Sequence, residues 1–258
     1  MRSVLLLLAA CQSPSKPDGE RADDTNTPAP TLCAGDACVG PDGLGLVLTH
    51  SGAPRLELPA DGIQLGVWPT LDTSLSHDPT YPNAATRWLP MTGVAVAEHD
   101  DQHMVLDLSF EGAAATLTLT AGGAGRIAAR LVVDRVDEGQ ALSFRLRPTV
   151  GINEGFYGLG ELFDRPEHRG TVRAMHLIAD FEMESSYNEA HVPVPFLIGT
   201  EGWGLFVEED HPTVFDVAAT TSERVEVTTG KGAEATEGFA FHLFTANAAL
   251  DVTAHYLA

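Results

Sequence analysis

Basic side chains are scarce in this chain: 15 Lys and Arg stand against 36 Asp and Glu in 258 residues, giving a formal net charge of −21. A surface so acidic repels phosphate backbones, which excludes nucleic acid as a partner, and it offers no basic patch to anionic lipid. Uncharged ligands such as sugars meet no such barrier. Long apolar runs are missing too. The longest candidate, Val4 to Ala10, is far too short to cross a bilayer as a helix. The ten histidines include no HExxH, and no G-x-S-x-G elbow occurs, so metallohydrolase and esterase chemistry is unsupported. The Gly-x-Gly at 158–160 lacks a third glycine and a following helical pattern, which argues against a nucleotide loop. Neither a metal nor a cofactor is implied.

The start, MRSVLLLLAACQSPSKP, combines one Arg with a short apolar run, the pattern of an export signal. Leu8-Ala9-Ala10-Cys11 resembles the bacterial lipoprotein signal, which predicts removal of residues 1–10 and lipidation of Cys11. Gln12 resembles the default for sorting to the outer membrane, so the chain is expected to be exported and lipid-anchored in the cell envelope. From 11 to 40 the composition shifts to Ser, Pro, Thr, Asp and Gly, which predicts a disordered tether. Within it Cys33 and Cys38 form "CAGDAC"; they are either a small disulfide loop, which an exported setting permits, or two free thiols. A metal site there would need two more ligands nearby, and none is present.

From 41 onward apolar residues alternate. Segments 44–50, 63–68, 104–111, 115–121, 126–133 and 141–148 read as strands with one buried face, and 172–183, 194–199, 204–209, 224–230 and 238–246 form a second series. So many strands without an intervening helical pattern predict an all-β antiparallel sandwich over 41–258. Only the tail reads as a helix, capped by Asn247, with Leu250, Ala254 and Leu257 spaced for a buried stripe. The helical pattern runs to Ala258 without a stop signal, which suggests a piece of a longer protein.

The stretch FYGLGELFDRPEHRG, 156–170, has two local explanations: glycines that relax the backbone, and an ordinary surface turn around Arg165-Pro166-Glu167. It also resembles the Tyr-Gly-x-Gly-Glu segment in the N-terminal domain of glycoside hydrolase family 31. YNEAHVPVPFLIGTEGWGLFVEEDHPTVFDVA, 187–218, is similar to that family's next segment, and FAFHLFTANAALDVTAHYLA to its closing strand and helix. These three pieces all lie between 156 and 258, and from 41 to 150 only the strand pattern agrees.

The resemblance implies a galactose mutarotase-like sandwich packed against a (β/α)₈ barrel that carries the catalytic aspartates and follows in the longer protein. No catalytic residue is then expected within these 258. The whole enzyme would be a retaining α-glycoside hydrolase of the α-glucosidase or α-xylosidase kind. Gly158 and Gly160 would turn the backbone at the domain junction, and Glu161, Asp164 and Arg165 would make polar contacts across it. A stand-alone surface lipoprotein that binds glycans without catalysis is the other reading.

Alternation puts Asp180, Glu182 and Glu184 on one strand face, either a solvated face or a set of acceptors for sugar hydroxyls. They project the same way, so they cannot flank a scissile bond, and no calcium loop surrounds them. Tyr187, Asn188 and His191 follow in a loop and are further candidates for substrate contact; the alternative for Tyr187 and Asn188 is a core tyrosine and a turn asparagine. The pairing of His176 with Glu182 or His191 as an epimerase acid and base rests on fold analogy alone. Trp68, Trp88 and Trp203 are scattered and read as core or rim.

Overall fold

The computed structural model describes residues 29–69, 85, 87–123, 125–162, 164–175 and 192–258. The strands are β1 (Leu32–Ala34), β2 (Ala37–Asp42), β3 (Gly45–His50), β4 (Ala53–Leu58), β5 (Ile63–Trp68), β6 (Arg87–His99), β7 (His103–Phe110), β8 (Ala113–Ala121) and β9 (Arg126–Val136). They continue with β10 (Gln140–Leu146), β11 (Phe156–Gly158), β12 (Thr171–Met175), β13 (Phe196–Gly199), β14 (Trp203–Val207), β15 (Thr213–Val217), β16 (Val225–Gly230) and β17 (Phe239–Thr245). One helix, α1 (Ala249–Leu257), closes the chain. All named pairings are antiparallel, and the expected sandwich is the fold.

The strands form a four-stranded sheet, β1-β2-β3-β4, and a thirteen-stranded one, β11-β13-β14-β17-β9-β8-β7-β6-β5-β10-β16-β15-β12. The large sheet closes into two layers because β6 belongs to both. Its first half, Arg87 to Pro90, pairs with β5, while Met91 to His99 pairs with β7. The register slips between Met91 and Gly93, a bulge that bends the strand from one layer into the other. Between the layers Phe144 of β10 stacks on Phe239 of β17, ring centroids 5.4 Å apart. Inward residues of β7, β8 and β9 such as Leu106, Leu117 and Leu131 complete the core.

Phe239, Phe241, Leu243 and Thr245 share one parity on β17 and face inward, and the Thr245 hydroxyl bonds His50 of β3. The small sheet therefore packs on the same inner face of β17 as β10 does. On the outer face, Phe196, Phe206 and Phe244 receive α1 through Tyr256, which stacks on Phe196 at 4.4 Å, and through buried Val252. The helix thus docks on the stripe Ala249-Val252-Tyr256. Leu250 and Leu257, expected to be buried, are 81% and 77% exposed, and Ala254 is exposed with them. Two stripes fit the helical period. The ring of Tyr256, matched to a cluster of three phenylalanines, selects the one that docks. Ala248, not Asn247, occupies the N-cap, without a side-chain bond.

The expected tether also ends earlier than residue 40. Leu32–Ala34 and Ala37–Asp42 are strands joined by the Cys33–Cys38 disulfide, and β2 pairs along its whole length with β3. Burial of Leu32, Ala34, Ala37 and Val39 against the sandwich supplies what the segment's polar composition conceals. Cys11 and the leader lie outside the described residues.

Candidate functional site

The segment 156–170 folds as a polar knot around the edge strand β11. Its glycines answer to neighbours inside the same lobe. Gly158, Leu159 and Gly160 have φ of 108°, 60° and 84°, three left-handed residues in succession. A Cβ on Gly158 would lie 2.2 Å from the Phe196 carbonyl oxygen, and one on Gly160 would lie 1.9 Å from that of Val192. The tight turn drives the Leu159 side chain fully into the core, and the Leu159 N–H donates to the Phe196 carbonyl at 2.9 Å. Leu159 bears a left-handed conformation that costs a non-glycine residue on the order of 1 kcal/mol or more, offset by that burial.

The acidic and basic residues of the motif close the open side of β11. The Phe156 N–H donates to Glu167 Oε1 at 3.0 Å, and the His168 N–H donates to the Phe156 carbonyl at 2.9 Å. His168 is buried, with Nε2 3.0 Å from the Gly158 carbonyl. Because that carbonyl can only accept, neutral His168 carries its proton on Nε2. Burial lowers its pKa, and the bond to Gly158 only partly opposes this. Arg169 lies over the Phe156 ring at 5.4 Å and donates to the carbonyls of Gly151 and Ser222, 2.8 Å each. Satisfied in this way, β11 offers no free ladder to another strand.

Asp164 and Arg165 sit at the exposed end of the knot. Burial pushes the Asp164 pKa upward, but the hydrogen bond and charge of Arg173, 2.6 Å away, outweigh it and leave the carboxyl below its ordinary value. Glu161 pairs through its backbone with Val192, while its side chain is exposed. Glu161 and Arg165 are therefore free to contact another surface; the two glycines and Asp164 are engaged within the lobe.

Sequence reasoning passed over Glu154, which lies beside the motif. Only 3% exposed, it accepts from the Trp203 indole N–H at 2.6 Å, from the Glu201 N–H at 3.3 Å and from the Gly151 N–H at 3.2 Å. Burial raises its pKa against the pull of these three donors. With both oxygens occupied, it fastens the turn before β11 to the β13–β14 hairpin. A lone Glu in a Gly-Ile-Asn-Glu turn gives no sign of this; its partner lies 49 residues away.

Asp180, Glu182, Glu184, Tyr187, Asn188 and His191 all lie outside the described residues, as does His176. Of the tryptophans, Trp68 and Trp203 are core and Trp88 is partly buried under Arg145, whose guanidinium carbon lies 3.7 Å from the ring centroid. Among the described residues one group, Glu209, Asp210 and His211, has its donor atoms close enough to suit a metal. The Lys231 ammonium, 2.6 Å from Glu209 Oε2 and itself buried, already supplies the positive charge there. None of the arrangements described so far sets two free carboxylates across a cleft.

Comparison with known proteins bears on this fold. A family 31 sulfoquinovosidase from E. rectale, solved with an aza-sugar inhibitor, superposes with a TM-score of 0.52 at 15% identity, over 81% of this chain and 32% of that one. A cycloalternan-degrading enzyme from Trueperella pyogenes superposes with a TM-score of 0.42 at 18% identity, over 88% and 32%. A cycloalternan-forming enzyme from Listeria monocytogenes gives 0.43 at 13%, over 88% and 21%. The chain thus spans a third or less of the length of these solved structures. No curated protein sequence matches it. Residues 92–216, from the strand shared by both layers through the polar knot to β15, match the model of the glycosyl hydrolase 31 N-terminal galactose mutarotase-like domain.

Proposed function

We propose that this chain is the non-catalytic N-terminal lobe of a family 31 retaining α-glycoside hydrolase, exported and anchored through a lipid on Cys11. The observation that carries the reading is the match of 92–216 to the family's N-terminal domain, a span that includes the whole polar knot. In this reading a following barrel supplies both catalytic carboxylates. Glu161 and Arg165, exposed on a backbone held rigid by Gly158, Gly160 and Asp164, contact it. Asp180, Glu182, Glu184, Tyr187, Asn188 and His191 reach toward the substrate at its mouth.

The test is to compare the 258-residue chain with the product of the reading frame extended past codon 258. The extended protein should release nitrophenol from an aryl α-glycoside while the 258-residue chain does not. Turnover by the shorter chain, or an immediate stop codon, would overturn the proposal; a stop would favour a glycan-binding lipoprotein.

A further inference from the structure

A cleft of about 320 Å³ opens where the small sheet, β17 and α1 meet. His50, Asp36, Asn247, Asp251 and His255 bring polar groups to it, and Ala246 and Ala254 contribute small apolar surface. It shares no residue with the polar knot. One fully buried residue, Thr245, holds both imidazoles. The Thr245 hydroxyl is 3.1 Å from His50 Nδ1, and its carbonyl is 3.0 Å from His255 Nδ1.

A carbonyl only accepts, so neutral His255 carries its proton on Nδ1 and presents the Nε2 lone pair. His50 is 5% exposed and lines the cleft, yet no described group bonds its Nε2. A buried imidazole held at one nitrogen and unpartnered at the other is prepared for a ligand. Gly125, with φ of 77°, makes the approach of His255 possible, because a Cβ there would lie 2.0 Å from His255 Nδ1. The rim is fixed as well. Gly125 N–H donates to the Ala34 carbonyl at 3.1 Å and Ser51 N–H to the Asp36 carbonyl at 2.8 Å, pinning the disulfide-closed β1–β2 turn that carries Asp36.

The chemistry of the wall selects the ligand. No three of its histidine and aspartate donors lie close enough together to share one metal ion. Neither Lys nor Arg lines it, and two carboxylates disfavour an anion. Asp36, Asp251 and His255 Nε2 are acceptors, with Asn247 able to accept or donate, so the complementary ligand carries several separated hydroxyl donors. The volume is near the lower end for ligand pockets and suits one ring, not an oligomer. We propose that this cleft binds a neutral hydroxylated ring, a free monosaccharide or the terminal unit of a glycan. The site is made wholly from residues of this chain and stands or falls separately from the role proposed above. With no aromatic platform among its lining residues, its affinity is weak, about 1 mM.

Saturation-transfer NMR on the 258-residue chain tests it with D-glucose, maltotriose and D-glucuronate. Glucose should receive saturation and glucuronate should not; transfer to maltotriose confined to a terminal ring marks a glycan end, and transfer to glucose alone marks the free sugar. Asp251→Asn and His255→Gln, on the partly exposed helix, should each weaken binding about tenfold with unchanged circular dichroism. Absence of transfer to both neutral sugars, equal transfer to glucuronate, or binding unaffected by both substitutions would overturn the proposal. So would tight zinc binding by calorimetry that His255→Gln abolishes, since it would make the cleft a metal site.

Discussion

Replacing Trp203 with Phe removes the indole N–H donor and leaves part of a fully buried ring's space unfilled, which makes it a probe of the buried carboxylate of Glu154. In the native protein the indole N–H donates to Glu154 Oε1 at 2.6 Å, with Glu201 and Gly151 N–H as the remaining donors. A hydrogen bond to a charged group contributes about 1.5 to 3 kcal/mol, and the smaller ring leaves a modest void. The expected loss is about 2 to 3 kcal/mol, on the order of a hundredfold in the folding constant. Urea unfolding followed by far-ultraviolet circular dichroism measures it.

Glu154→Gln supplies the decisive comparison. Its amide group meets at least one N–H donor face to face, so a constant penalty is expected and the pH dependence is the informative quantity. Because burial raises the pKa of Glu154 above the ordinary value of about 4.5, the folded state binds the proton more tightly than the unfolded chain. Native stability is therefore reduced as pH climbs from about 4.5 through the raised value, and the reduction is complete above it. Glu154→Gln lacks this component, so its stability relative to the native protein should improve over that window. In the double variant the cost of Trp203→Phe should shrink. A pH-independent difference between native protein and Glu154→Gln, together with additive costs in the double variant, would refute the reasoning.

Gly160→Val places a branched side chain at φ of 84° against the Val192 carbonyl, and should cost at least about 2 kcal/mol; an unchanged melting temperature would show that the turn relaxes. Tyr256→Ala should undock α1 and lower stability by about 1 to 3 kcal/mol, whereas Leu250→Ala should change it by less than about 0.5 kcal/mol; a reversal in thermal melts would mean that the helix docks on its other stripe. Replacing both Cys33 and Cys38 with Ala should cost about 2 kcal/mol, the amount expected for so short a loop, and reductant should then have no further effect on the melting temperature of the variant.

How much of this was legible from sequence depends on whether the signal is local. Ile63–Trp68 was read to the residue, and Gly45–His50, Ala113–Ala121 and Phe239–Thr245 nearly so, because alternation or a short apolar run bounded by turn residues is written in the segment itself. Arg87–His99 was missed because Pro90 and Gly93 break the pattern at the place where the strand changes layers. Leu32–Ala34 and Ala37–Asp42 read as a tether from composition, since their pairing partners and burial come from β3 and the sandwich beyond it. On α1 periodicity allowed two faces, and only the aromatic cluster on β13, β14 and β17 chose between them. In the knot, the need for glycine at 158 and 160 was visible, but not the carbonyls of Phe196 and Val192 that impose it. The cleft was invisible for the same reason: His50, Thr245 and His255 belong to three elements, and no spacing links them.

The strand shared by both halves of the sandwich has a kinetic and mechanical corollary. Since Arg87–Pro90 and Met91–His99 are one continuous backbone hydrogen-bonded in opposite directions, neither half can come away while the other stays intact. Loss of order should spread through that hinge as a single event, and amide hydrogen exchange in Leu65 and Leu106, on either side of it, should proceed at closely similar rates.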